Sequence, residues 1–472
     1  MDRDLIKKEI DKWFEAKTDE MISDLSKLIE INSVRSKSEP GAPFGQNSRK
    51  ALTLAEEMLE KRGFKATVFN DMIVTAETGP EKPLVAVLAH LDIVDAGEGW
   101  STNPFELVVK DGKLFGRGVM DNKGPSIAAM YALYCINEIN PKLKHGVQII
   151  LGTAEETGFD DIKQYMENNE MPPYVFSPDA EFPVINTEKG NFVPTFNAKW
   201  EKDTTLPRII SITGGKTPNI IPNRAEAIIE GISKVDVETF CEKFTKKTGV
   251  TLSIEKVKGD TITIQAEGLA AHASLPERAN NAQTALIEML ASMPFAKSEG
   301  FGYLCALNKL FPHGDYRGTA IGIDMEDEIS GRTTVNFGVL RFDEYEFSGN
   351  FDSRTPICAD DVDIMDIIRK ALEKEGLNIS HVKFMHGHHT PKDNPLVQTL
   401  LKVFTEYTGK EAVARSLGGL TYVHGIPGGV AFGCAYQEDD NKVHGANEFI
   451  KLEQLITSAK MFTLTLVDMC GS

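Results

Sequence analysis

Apolar residues along this chain change their period twice. The run Leu84-Val85-Ala86-Val87-Leu88-Ala89 has no polar interruption, which marks a strand buried on both faces of a parallel sheet. Residues 147–152 and 174–176 read as two shorter strands of the same kind. Helical spacing covers residues 5–31, 48–62 and 125–139, the last with Pro125 near its first turn. From about residue 209 the pattern becomes alternating, with strands expected at 261–266, 333–342 and 345–352. Amphipathic helices are expected there at 235–247, 281–293 and 360–375. The first style then returns, with a helix at 396–407, an apolar strand at 429–434 and a final helix at 452–469. The economical reading is an α/β domain formed by residues 1–187 and 388–472, its sheet flanked by helices. Residues 188–387 form an inserted α+β domain of two related halves.

Charge and cysteine usage narrow the function. The 472 residues include 51 Lys and Arg against 69 Asp and Glu, a net charge of −18. Such a surface repels a phosphate backbone, so nucleic acid is not an expected partner. No apolar run approaches the ~20 residues that span a bilayer. The first 30 residues lack the apolar core of a leader and read as a helix of a cytoplasmic protein. The six cysteines are scattered without a C-x-x-C, a pattern of reduced thiols rather than disulfides or a cysteine zinc site.

The chemistry gathers at predicted strand ends. His90 and Asp92 close the first strand and, two residues apart on extended chain, share a face. Asp121 lies in Gly116-Arg117-Gly118-Val119-Met120-Asp121-Asn122-Lys123-Gly124, just before a helix. Glu155 and Glu156 follow the strand 147–152, and Asp179 lies in Ser177-Pro178-Asp179-Ala180-Glu181. His444, in Val443-His444-Gly445-Ala446-Asn447-Glu448, returns from the far end of the chain. Ligands of open α/β sheets bind beyond the carboxyl ends of the strands, so these side chains should converge. Two histidines with several carboxylates suit zinc or a similar divalent ion better than an all-oxygen calcium cage.

These segments resemble the co-catalytic zinc peptidases related to carboxypeptidase G and aminoacylase, over essentially the whole chain. Within that family they are most similar to the bacterial dipeptidases of the PepV, carnosinase-like, type. The resemblance implies two divalent ions per chain, zinc before manganese, bridged by Asp121. His90 and Asp179 would complete one metal site, Glu156 and His444 the other. Glu155 would be the general base and Asp92 the carboxylate that orients His90. Those roles are chemically coherent, since a metal-activated water needs one unligated carboxylate to take its proton and a ligating histidine usually donates its second N–H to an acid.

The same resemblance extends to the inserted domain, which would act as a lid. His272, among small residues in Leu269-Ala270-Ala271-His272-Ala273-Ser274, would reach the scissile carbonyl and steady its oxyanion. Asn219 and Arg354 would hold the substrate, the arginine fork suiting a C-terminal carboxylate. Gly418 and Gly419 open a loop whose N–H groups would face that carboxylate. The loop departs from the family pattern at Leu420, normally glycine, and at His424, normally arginine. Asn122 replaces a common aspartate, a change expected to matter little.

His386-Gly387-His388-His389 has no companion acids in pattern and reads as a surface or hinge element. No P-loop, dinucleotide fingerprint or G-x-S-x-G occurs. The expected protein is therefore a cytoplasmic, monomeric metallo-dipeptidase acting on small unblocked dipeptides. The neighbouring alternative is an N-acyl-amino-acid deacylase or another amide hydrolase of the same scaffold. From a different class, a non-catalytic metal- or peptide-binding protein would have no use for an unligated Glu155.

Overall fold

The unbroken apolar run before His90 lies at the centre of a mixed sheet. The structure is a computed structural model that describes residues 3–202, 204–380, 384–436 and 438–471. Pro83–His90 pairs in parallel with Gly146–Gly152 on one side and Tyr174–Ser177 on the other. Tyr174–Ser177 in turn pairs in parallel with Gly429–Ala431. Antiparallel strands Ile73–Thr78 and Thr67–Phe69 extend one edge. Among the described residues this sheet has nine strands. Its central members are buried on both faces, which is why they carry no alternation.

Helices Arg3–Ile29, Lys123–Ile139, Pro395–Thr408 and Leu452–Cys470 pack on one another, and Lys123–Ile139 also meets the central strands. That helix is buried from Lys123 to Ile136, so its sequence is apolar around its whole circumference. These elements, with Met1–Thr187, His389–Arg415 and Leu420–Ser472 as its segments, make one compact unit with its own core.

Glu188–His388 and Ser416–Gly419 form a second compact unit. Here Thr261–Glu267 buries Ile262, Ile264 and Ala266 while the intervening positions are more exposed, the period-2 signature of a sheet with one face on a core. Its strands pair antiparallel in the order Thr251–Lys258, Thr261–Glu267, Arg224–Glu230, Arg208–Gly214, Thr334–Phe342 and Glu346–Thr355. Gly190–Phe192 and Phe384–Met385 continue the sheet, which has ten strands among the described residues. Helices Lys234–Thr248, Ala282–Ala291, Glu299–Leu310 and Ile364–Lys374 belong to the same unit. Ser233, Asn281, Ser298 and Asp363 cap them by accepting backbone N–H groups.

Two expectations about elements need correction, and one helix lay outside them. The strand expected at 429–434 ends at Ala431, and Cys434–Ala435 pairs instead with Ala180–Glu181. Gly433, at φ 82°, turns the chain between them. The helix expected at 360–375 starts at Ile364, because Asp363 caps it after a 3-10 turn at Ile357–Asp361. Helix Glu299–Leu310 was not expected from the pattern, since Gly300 and Gly302 in its first turn mask the helical signal. All six cysteines are free. Among the described residues no helix is long and apolar enough to cross a membrane.

Candidate active site

His90 is the last residue of its strand and is fully buried. Its Nε2 lies 3.2 Å from Asp121 Oδ1 and 3.6 Å from Asp179 Oδ2. The other oxygen of Asp121, Oδ2, is 2.9 Å from His444 Nε2, which is also 3.3 Å from Glu156 Oε2. Asp121 thus stands between two histidine–carboxylate groups, one oxygen toward each. Candidate ligand atoms of His90, Asp121 and Glu156 lie within 4.8 Å of one another, as do those of His90, Glu155 and Asp179. Six residues singled out in the sequence therefore meet: His90, Asp121, Glu155, Glu156, Asp179 and His444.

Asp92 joins them from below. Its Oδ1 is 3.3 Å from His90 Nδ1, whose ring nitrogen also approaches the Asp92 carbonyl at 3.2 Å. The same carboxylate accepts the backbone N–H groups of Glu155 and Glu156 at 3.3 and 3.1 Å. One fully buried acid thereby touches both His90 and the adjacent glutamates.

The electrostatics are those of acids crowded without enough positive charge. Burial, then the neighbouring Asp179, pushes Glu155 well above the usual carboxylate range. Burial and Asp121 raise Glu156 to about 7 and also raise Asp179. Burial disfavours ionisation of Asp121 too, but hydrogen bonds from His444 and His90 hold its carboxyl below the usual range. Hydrogen bonds to Asp121 and Glu156 raise His444 to about 11. The buried oxygen Glu156 Oε1 has no hydrogen-bond partner, and His90 Nε2 faces two carboxylates, Asp121 and Asp179, that one N–H cannot satisfy together. Imidazole nitrogens and carboxylates clustered with unmet polar atoms fit divalent metal ions well.

Supporting contacts that the sequence reading missed come from distant positions. Glu448, fully buried, accepts N–H groups of Gly118, Met120 and Asp121 at 3.1, 2.8 and 3.1 Å and the Arg117 guanidinium at 2.5 Å. It fixes the loop that carries Asp121. Lys123 Nζ, buried, donates to the carbonyls of Leu28 and Ile31 at 2.8 and 2.5 Å. Asn122, expected to matter little, is fully buried and donates to Asp179 Oδ1 at 3.0 Å and to the Pro178 carbonyl at 3.1 Å. An aspartate there would offer only acceptors when ionised. The available signal for Glu448 was its place four residues after His444 in Val443-His444-Gly445-Ala446-Asn447-Glu448, and its partners lie some 330 residues away.

The remaining singled-out residues, Asn219, His272, Arg354, Gly418 and Gly419, belong to the second unit. The Asn219 carbonyl accepts the Ala273 N–H at 2.8 Å, placing the two loops side by side. His272 Nδ1 accepts the Ser274 N–H at 3.2 Å and meets Ser274 Oγ at 2.7 Å. A neutral His272 therefore carries its proton on Nε2. Arg354 is buried, with Nε and Nη2 on the two oxygens of Asp352 at 2.8 and 2.9 Å and Nη1 donating to the Gly418 carbonyl at 3.0 Å. These bonds take three of its five N–H groups. His386 lies 3.5 Å from Asp360, and His389 Nδ1 meets Thr187 Oγ1 at 2.9 Å.

The site is thus a histidine–carboxylate cluster at the strand ends of a mixed sheet flanked by helices. The sequence model of Peptidase family M20/M25/M40 matches residues 86–468. The Bacillus subtilis protein named "Putative dipeptidase YtjP" is 32% identical over 458 residues, covering 96% of this chain and 98% of that one. A Staphylococcus epidermidis relative of the same description is 31% identical over 461 residues, with 96% and 97% covered. The fold is shared with human carnosine dipeptidase 1, at TM-score 0.60, 16% identity and 99% of both chains. The Saccharomyces cerevisiae dipeptidase Dug1p shares it at TM-score 0.58 and 14% identity, with 100% and 99% covered. The chain belongs to peptidase family M20/M25/M40, and it is a peptidase.

Proposed function

We propose that this peptidase is a two-metal dipeptidase that cleaves the single peptide bond of small unblocked dipeptides. The observation that carries the reading is the placement of Asp121, whose two oxygens face two separate histidine–carboxylate groups. In this reading His90, Asp179 and Asp121 would hold one divalent ion, and His444, Glu156 and Asp121 the other, with zinc favoured over manganese by the two imidazoles. Divalent ions held by these residues would supply Lewis acidity, lowering the pKa of a water and polarising a carbonyl. Glu155 takes the water's proton and delivers it to the leaving amine, as an unligated carboxylate beside the ligand atoms of His90 and Asp179 can. Asp92 keeps the His90 ring in place through Nδ1. His272 donates from Nε2 to the developing oxyanion. Asn219, Arg354 and the N–H groups of Gly418 and Gly419 receive the substrate's C-terminal carboxylate.

The catalytic domain in this reading comprises residues 1–187 and 388–472, and the lid residues 188–387. The enzyme acts in the cytoplasm, as its free cysteines fit, and as a monomer, its long inserted region sparing it a neighbour's groups. The names of the relatives support dipeptides as substrates. A dipeptide panel, each member assayed with and without chelator and with and without an N-acyl block, tests the proposal. Hydrolysis of free dipeptides that is lost with chelator is expected. Preference for the blocked substrates would make the protein a deacylase instead.

A further inference from the structure

Four consecutive backbone N–H groups after the strand Gly146–Gly152, those of Thr153, Ala154, Glu155 and Glu156, all meet carboxylates. Asp92 takes the last two, as described. Asp161 Oδ2 takes the first two, at 2.6 Å from Thr153 and 2.9 Å from Ala154. Asp161 is itself fully buried, and its Oδ1 accepts the Ile162 N–H at 2.7 Å. The remaining partner comes from far along the chain: the Tyr422 hydroxyl donates to Asp161 Oδ2 at 2.6 Å. Tyr422 is fully buried, and its ring stands edge-on to the His90 imidazole, centroids 6.0 Å apart at 89°. No space is left beside the pair. A Cβ on Gly152 would fall 1.8 Å from the Tyr422 oxygen and 2.5 Å from Asp161 Oδ2.

We infer that Asp161 and Tyr422 are a positioning pair, which fixes the turn bearing Glu155 and Glu156 and braces His90 from the same side. Both act through backbone and ring contacts. The inference rests on the roles proposed above for Glu155 and Glu156. A carboxylate that must meet a water and a leaving amine in turn tolerates little displacement, and errors near 1 Å cost about a hundredfold in rate. A tyrosine–aspartate brace supplies what a flexible turn lacks, because its strong charge-assisted bond is sheltered from water.

Tyr422→Phe tests this directly, since it keeps the ring beside His90 and removes only the hydroxyl. Gly152→Ala keeps both residues and removes their room. Each is compared with wild type and Glu155→Gln for kcat, KM, zinc affinity by chelator competition, and thermal midpoint. The expected result is a kcat about 10–100-fold lower in the folded, zinc-saturated Tyr422→Phe enzyme, with KM within about threefold and weaker zinc affinity. Gly152→Ala should lose at least as much. A lower thermal midpoint with kcat and zinc affinity at wild-type values would overturn the inference, as would a changed KM at constant kcat. Should Glu155→Gln be inactive while Tyr422→Phe turns over normally, the brace alone is refuted. Should Glu155→Gln turn over normally, the base assignment fails and the brace loses its catalytic purpose with it.

Discussion

Two buried charged groups in this protein are built in opposite ways. Around Asp121, acids are packed together with their charges unmatched: Glu155, Glu156 and Asp179 are all driven upward in pKa, chiefly by burial and by one another's neighbours. Around Arg354, charge is matched within the fold, the guanidinium lying on both oxygens of Asp352 and on the Gly418 carbonyl. A fold gains nothing from the first arrangement, and its cost makes sense only where a ligand brings the missing positive charge. The second is self-sufficient. It leaves two of the five N–H groups of the guanidinium for the substrate carboxylate proposed to bind there.

Breaking each arrangement should give opposite signatures. The largest effect is expected at the proposed base, where Glu155→Gln should lower kcat by about 10²–10⁴-fold while metal content holds. Metal analysis beside turnover checks this, and near-normal turnover in the metallated variant would remove Glu155 from the chemistry. Arg354→Ala should instead destabilise the protein by about 3–5 kcal/mol, because it strands a buried Asp352. Its kcat/KM should fall for dipeptides with a free carboxylate, and denaturant unfolding with paired assays on a dipeptide and its C-terminal amide would measure both. Equal rates of the wild-type enzyme on the dipeptide and the amide would contradict the carboxylate clamp.

A smaller effect sharpens the contrast. Glu156→Gln removes one of the crowded charges, so the metal-free protein should gain about 2–4 °C in its thermal midpoint, the shift of roughly 1 kcal/mol in a domain of this size. A fall in the metal-free midpoint would mean that the acid cluster is already balanced. Smallest of all should be substitutions in the His386–His389 segment. His388→Ala and His389→Ala should leave the metal content unchanged.

Much of the sheet was legible because a strand buried on both faces has no polar positions to disguise it. The runs before His90, Glu155 and Asp179 were therefore visible, and the rule that ligands gather beyond strand ends brought those residues together with Asp121. What stayed hidden depends on contacts across the chain. Asp161 and Tyr422 are 261 residues apart, and nothing local distinguishes that tyrosine from a core aromatic. Glu448 looks like one more surface acid until the loop at Gly118–Asp121 folds onto it. Asn122 was discounted by family pattern, although its amide is what a neighbouring Asp179 carboxylate requires. Helix Glu299–Leu310 was obscured by glycines that tertiary packing overrides.

The central claim is that Asp121 serves two metal ions at once. Counting zinc per chain in wild type, His444→Ala and Asp121→Ala, each purified and reloaded identically, tests it most directly. The account predicts about two ions in wild type, fewer in His444→Ala with the His90 side still loaded, and loss of both in Asp121→Ala. One full ion retained by folded Asp121→Ala would show that the aspartate does not bridge, and would contradict the account.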